Sequence, residues 1–273
     1  METRVIREKQ DLKYLKWNHA RTSSGTAGTF LKSESNIGGS KVYYKLSNFD
    51  MVNGVVGHEC VNEIIVDRLL TILGVEHLHY QLIYADINVD GQVYTTYLCA
   101  SEDFKARGES KIALDDYYRV SSDGKENRYD FCVRQGWQKI INEMIAVDYI
   151  ILNRDRHGAN IEVLRNPKKK TLRIAPLFDH GLSLLYSCSN DAEVEGYDVT
   201  EDRPCQNFIG SRSCYDNLKM IQTEKYIFQN ELKKADRYEI FADLDGIISQ
   251  KLMDKIWEMI WKRYKKYRKM CKE

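Results

Sequence analysis

Asp148-Tyr-Ile-Ile-Leu-Asn-Arg-Asp155-Arg-His-Gly-Ala-Asn160-Ile-Glu-Val-Leu-Arg165 is followed, after a Pro-Lys-rich turn, by Ile174-Ala-Pro-Leu-Phe-Asp179-His-Gly181. Two apolar runs each end in a polar cluster. Asp155 stands five positions before Asn160, and Asp179 opens an Asp-x-Gly turn. Phosphoryl transfer needs an acid to orient the attacking hydroxyl and oxygen ligands to hold magnesium against the phosphates. Asp155, Asn160 and Asp179 supply those groups in that order.

The rest of the composition is compatible with such an enzyme. The chain has 273 residues, 43% of them hydrophobic, enough for a large domain or two lobes around a cleft. With 41 basic and 40 acidic side chains the net charge is +1, which argues against wholesale nucleic-acid binding. Seven cysteines lie singly, with no Cys-x-x-Cys pair, and suit a reducing cytoplasm better than a disulfide framework or a zinc site. The N-terminus lacks the apolar core of a signal peptide, and no stretch reaches the ~20 apolar residues of a membrane span. The reading is a cytoplasmic protein.

Upstream, Leu12 to Trp17 reads as a strand. Residues 21–30 follow, where Gly25 and Gly28 stand beside Ser23 and Ser24. Small residues there let backbone N–H groups approach a phosphate. The spacing matches neither a Walker A loop nor Gly-x-Gly-x-x-Gly, so an ordinary hairpin turn is the competing reading. Leu31 to Ser35 reads as a returning strand. Val42 to Leu46 reads as another, interrupted by Lys45. Val61, Ile64, Ile65, Leu69 and Ile72 recur at helical spacing, predicting a helix from about Gly57 to Leu73 that Gly74 caps. Glu63, deep in that helix, is the preferred partner for Lys45. Glu59, in the first turn, favours the helix dipole. Tyr80–Ile87 and Gln92–Leu98 read as strands joined by an Asp90-Gly91 turn. The segment Tyr97-Leu98-Cys99 would lead into a hinge whose backbone pairs with adenine.

Downstream, residues 102–130 are polar, and a helix begins near Gln135. Residues 186–217 read as an irregular stretch. Asp191, Glu193, Glu195, Asp198, Glu201 and Asp202 make it either a solvated loop or a surface that attracts a basic substrate. Leu244, Ile248, Leu252, Ile256, Met259 and Ile260 form the apolar stripe of a last helix. It ends in the basic run Lys262–Lys269, a solvated helix end or a local site for nucleic acid or anionic lipid.

An acid with an asparagine five residues on is the arrangement of a protein-kinase catalytic loop, although the His-Arg-Asp lead-in is replaced by Asn153-Arg154-Asp155. Asn153-Arg154-Asp155-Arg156-His157-Gly158-Ala159-Asn160, with Ala175-Pro176-Leu177-Phe178-Asp179-His180-Gly181, resembles the motifs of HipA-like serine/threonine kinases. The likeness runs from about residue 20 to 265. The length is similar to the short CtkA-type form, without the extra N-terminal subdomain of the full-length toxins.

The resemblance implies an α+β, bilobal kinase-like fold. Residues 1–101 would be a small antiparallel-sheet lobe with one helix, and 102–273 a larger, mainly helical lobe. It implies ATP and magnesium as cofactors. Asp155 would take the proton of a Ser/Thr hydroxyl, Asn160 and Asp179 would ligate magnesium, and Lys45, held by Glu63, would contact the phosphates. Ser23, Ser24, Gly25 and Gly28 fall where the family's phosphate-covering loop lies, and either serine is a candidate for autophosphorylation. His157 would brace the loop. Asp-His-Gly departs from the common Asp-Phe-Gly. The implied partners are a protein substrate and an antitoxin-type protein. The competing readings are a lipid or small-molecule kinase and a nucleotide-binding pseudokinase.

Overall fold

The computed structural model describes residues 4–18, 30–50, 52–221 and 225–271. The fold is mixed α+β, with a sheet-bearing part followed by a mainly helical part. A five-stranded sheet is ordered Val5–Asp11, Gln81–Val89, Gln92–Glu102, Ser40–Lys45, Lys32–Ile37. The first strand runs parallel to its neighbour, and the other pairs are antiparallel. At the tip of the central hairpin Asp90 and Gly91 both adopt left-handed φ, 52° and 89°, as a tight two-residue turn requires.

The expected strand at Leu12–Trp17 is corrected. The strand is Val5–Asp11, and the chain then turns so that Leu12 and Leu15 are buried over one face of the sheet. The edge strand reads Val-Ile-Arg-Glu-Lys-Gln-Asp. Charges protect an exposed edge but hide its β-character from a search for apolar alternation.

The alternation of Gln81–Val89 sorts its side chains onto two faces. Ile83, Ala85, Ile87 and Val89 join Tyr44, Leu46, Leu98, Leu12 and Leu15 in one cluster. Leu82 and Cys99 face the other way, into a core shared with the helix Glu59–Leu73. That helix is buried nearly all round, and Gly74 ends it at φ 72°, with its N–H on the carbonyls of Leu70 and Thr71. The same core continues into the helices Gln138–Ile151 and Gln250–Met270. A second sheet, Ser110–Ala113 with Glu162–Asn166 and Thr171–Ile174, brackets the polar loop 155–160 and leads the chain toward Asp179.

Two charged stretches differ from expectation. In 186–217 the six acids are engaged within the chain. Asp191 and Glu195 meet Lys251, Glu193 accepts from Ser189 N–H, Asp198 from Thr200 N–H, Glu201 pairs with Arg203, and Asp202 accepts from Ser213. The surface offered to a basic substrate is correspondingly weakened. In the last helix Arg263 is buried and donates to the carbonyls of Tyr149, Val199 and Glu201. Tyr264 and Tyr267 are also buried, so the basic run is one face of a packed helix. All seven cysteines are free and buried. Among the described residues no helix is long and apolar enough to cross a membrane.

Candidate active site

Lys45 ends a strand on the face that the helix Glu59–Leu73 covers, and its ammonium lies between two carboxylates. Nζ is 3.1 Å from Glu63 Oε1 and 2.5 Å from Asp179 Oδ1. Burial works against the charge on Lys45, but Asp179 and Glu63 outweigh it and hold the ammonium well above its ordinary range. Burial likewise opposes charge on Asp179, and Lys45 overrides it, so this carboxyl sits below its ordinary value. Glu63 is fully buried, and desolvation, only partly offset by Lys45, pushes its carboxyl up. Its second oxygen accepts the His180 N–H at 2.8 Å.

Glu59 does something else, its Oε2 accepting the Asn48 N–H at 3.0 Å. Of the two acids weighed for Lys45, Glu63 is the one that meets it.

The Asp-His-Gly turn is held by several groups. Asp179 adopts φ 58°, and its N–H donates to the Tyr80 hydroxyl at 3.2 Å. Asn62 donates to the carbonyls of Gly181 and Ser183. A Cβ on Gly181 would lie 3.1 Å from Glu59 Cβ and 3.3 Å from Glu63 Oε1, so glycine lets the turn approach the helix. His180 is buried, and desolvation keeps its ring neutral.

The loop 155–160 is built around its own backbone. Asn153 Oδ1 accepts the Asp155 N–H, and Asn160 Nδ2 donates to the Asp155 carbonyl at 2.8 Å. The amide nitrogen of Asn160 is thereby committed, and its oxygen is the atom left for a cation. Desolvation pushes the Asp155 carboxyl up, His157 opposes that, and the charge of Asp179 adds to it. The charges of Asp155, Asp179 and Lys45 thus act on one another across one space. His157 Nε2 is 3.7 Å from Asp155 Oδ2, and Nδ1 accepts the Ala159 N–H.

Other expected site residues fall elsewhere. Ser23, Ser24, Gly25 and Gly28 lie outside the described residues. Tyr97, Leu98 and Cys99 are not in a connecting segment. The strand continues to Glu102, Leu98 is buried, and Cys99 pairs with Leu82 on one side and Lys45 on the other. The Cys99 backbone, committed to ladders on both sides, is poorly placed to pair with a base. Tyr97 and Leu98 are laddered to Tyr84 and Ile83, and the chain leaves the sheet only after Glu102. The extra pairing with Ser40–Lys45, invisible in local sequence, makes the difference.

Two residues escaped the sequence reading. Arg156 is buried and donates through Nε and Nη2 to Asp148, and through Nη1 to the carbonyls of Asn160 and Phe178. Asp148 also accepts from Asn153 Nδ2 at 2.9 Å. One guanidinium thus ties together the helix, the loop and the segment that leads into Asp179. The available signal was a lone acid in the apolar run Met144–Ile151.

Among solved structures, the chain is similar to the proinflammatory kinase CtkA of Helicobacter pylori, with 15% identity and a TM-score of 0.62 over 97% of this chain and 96% of that one. It has the fold of that kinase. HipA from the Shewanella oneidensis HipA–HipB–operator complex aligns over 93% of this chain and 60% of its own, with 14% identity and a TM-score of 0.41. WaaP, from its complex with acyl carrier protein, aligns over 88% and 87%, with 11% identity and a TM-score of 0.39. No protein-family model matches the chain, and no curated protein matches it in sequence.

Proposed function

We propose that the chain is an ATP- and magnesium-dependent phosphotransferase that moves the γ-phosphoryl group to a serine or threonine hydroxyl of a protein. The observation that carries this reading is the Lys45 ammonium gripped by Glu63 and Asp179, with Asp155 near enough to feel the charges of Lys45 and Asp179, and Asn160 bonded to the Asp155 carbonyl. Asp155 takes the proton of the acceptor hydroxyl, and a carboxyl whose affinity for protons is raised by burial suits that role. Asn160 Oδ1 and the Asp179 carboxylate are hard oxygen donors that fit magnesium. When bound, that ion supplies neutralisation of phosphate charge. Lys45 contacts the phosphates, and Glu63 orients it.

The cleft lies between residues 1–101 and 102–273. Ser23, Ser24, Gly25 and Gly28 are the candidate phosphate contacts, either serine is the candidate for autophosphorylation, and the adenine edge meets backbone beyond Glu102. Seven free, buried thiols support a reducing, cytoplasmic setting.

The test is incubation with γ-labelled ATP and magnesium, alone and with cell lysate. The expected result is label on protein serine or threonine that Asp179→Ala abolishes. Label on lipid or metabolite instead, or no transfer by the unaltered chain, overturns the reading.

A further inference from the structure

Behind the site just described, a groove of about 1090 Å³ is lined in part by Arg4, His77, His79, Tyr80 and Phe104. Arg4, His77 and His79 of that lining belong to a cluster that phosphoryl transfer does not use. Asp67, four residues after Glu63 on the same helix, is buried. Its Oδ2 accepts the Tyr80 N–H at 2.9 Å. Its Oδ1 faces His77 Nε2 at 2.7 Å, His79 Nδ1 at 3.0 Å and the Arg4 guanidinium.

We propose that Asp67, His77 and His79 form a binding site for a divalent transition-metal ion of the zinc type. The three ligand atoms lie within 4.8 Å of one another. His77 Nδ1 is 2.6 Å from the Val75 carbonyl, which can only accept, so that nitrogen carries the ring proton. Between Nε2 and the Asp67 carboxylate there is then room for either a second ring proton or a metal cation, and a metal ion bound there would take that proton's place. A backbone carbonyl fixing the far nitrogen is also how metal-binding histidines are usually oriented.

Zinc bonds of about 2.0–2.1 Å at tetrahedral angles separate ligand atoms by roughly 3.3 Å. The observed 2.7 and 3.0 Å would have to open by about 0.6 and 0.3 Å, and the two ring nitrogens lie within 4.8 Å of each other. Paired imidazoles favour zinc, nickel or copper over magnesium and calcium. The His79 side chain is 63% exposed, which leaves a path in from the groove. Arg4 is the competitor: its guanidinium neutralises Asp67 when no ion does, and its side chain is partly exposed.

The site would clamp the helix to the segment ahead of Gln81–Val89. His77 bridges to Leu177, and the Tyr80 hydroxyl receives the Asp179 N–H, so an ion here sits behind the Asp-x-Gly turn.

The test is calorimetric titration of chelator-treated protein with zinc, without nucleotide, paralleled by cobalt titration read in the visible d–d bands. One equivalent should bind. His79→Ala, at an exposed position, should weaken binding at least about tenfold with an unchanged circular-dichroism spectrum. Arg4→Ala, which removes the competing cation and no ligand, should tighten it. Absence of saturable binding by the unaltered chain, or affinity in His79→Ala equal to it, overturns the proposal. So does an Arg4→Ala variant that binds no more tightly than the original.

Discussion

Arg156 and Asp148 form an ion pair at 2.9 Å beneath the loop 155–160, with side chains only 1% and 2% exposed. Removing one partner strands a buried charge, which costs about 3–5 kcal/mol. Arg156→Ala and Asp148→Ala should each lose stability on that scale in chemical denaturation, and the double variant should lose less than the sum. Additive losses would show that the pair is not coupled.

Asp155 accepts no buried ion pair of that kind, and its carboxyl is 27% exposed. Asp155→Asn should fold normally and bind ATP nearly as before while turnover drops roughly 10²–10⁴-fold, the usual share of a general base. Single-turnover kinetics beside nucleotide titration would separate the two effects. Undiminished turnover would remove Asp155 from its assigned role.

Gly181→Ala places a methyl group against Glu59 and Glu63. Overpacking of this kind costs about 1–3 kcal/mol, and the relief available is retreat of the Asp-His-Gly turn from the helix. Activity should fall more than stability does, because Asp179 rides on the same turn. Thermal unfolding compared with turnover would check the ratio.

His58 gives a pH dependence. Burial lowers it from 6.5 to about 4, against a weaker opposing hydrogen bond to Leu185 backbone. The unfolded chain therefore binds this proton first as pH falls. Stability is fully present above pH 6.5 and declines as pH drops toward 4, by up to about 3 kcal/mol from this group. Buried His180 acts in the same direction. Denaturation of His58→Gln across pH 4–7 should show a shallower slope than the unaltered chain. An identical slope would assign the dependence elsewhere.

Local chemistry made much of this chain readable. A 3.6-residue apolar period closed by Gly74 announced the helix Glu59–Leu73, and Asp90-Gly91 between β-formers announced the central hairpin. The spacing of Asp155, Asn160 and Asp179 named the candidate chemistry because those groups sit on short loops with their partners close in sequence. Tertiary structure alone decided the rest. Which acid meets Lys45 depends on how a helix lies across a sheet. Cys99 became mid-strand because a distant strand, Ser40–Lys45, pairs with it and carries the ladder on to Glu102. Arg263 turned inward, although it stands in a basic run, because carbonyls of Tyr149, Val199 and Glu201 converge on it. Asp67, His77 and His79 gather in a cluster that no spacing predicts. Periodicity and turn chemistry act between neighbours in sequence, whereas desolvation and charge pairing are settled by neighbours in space.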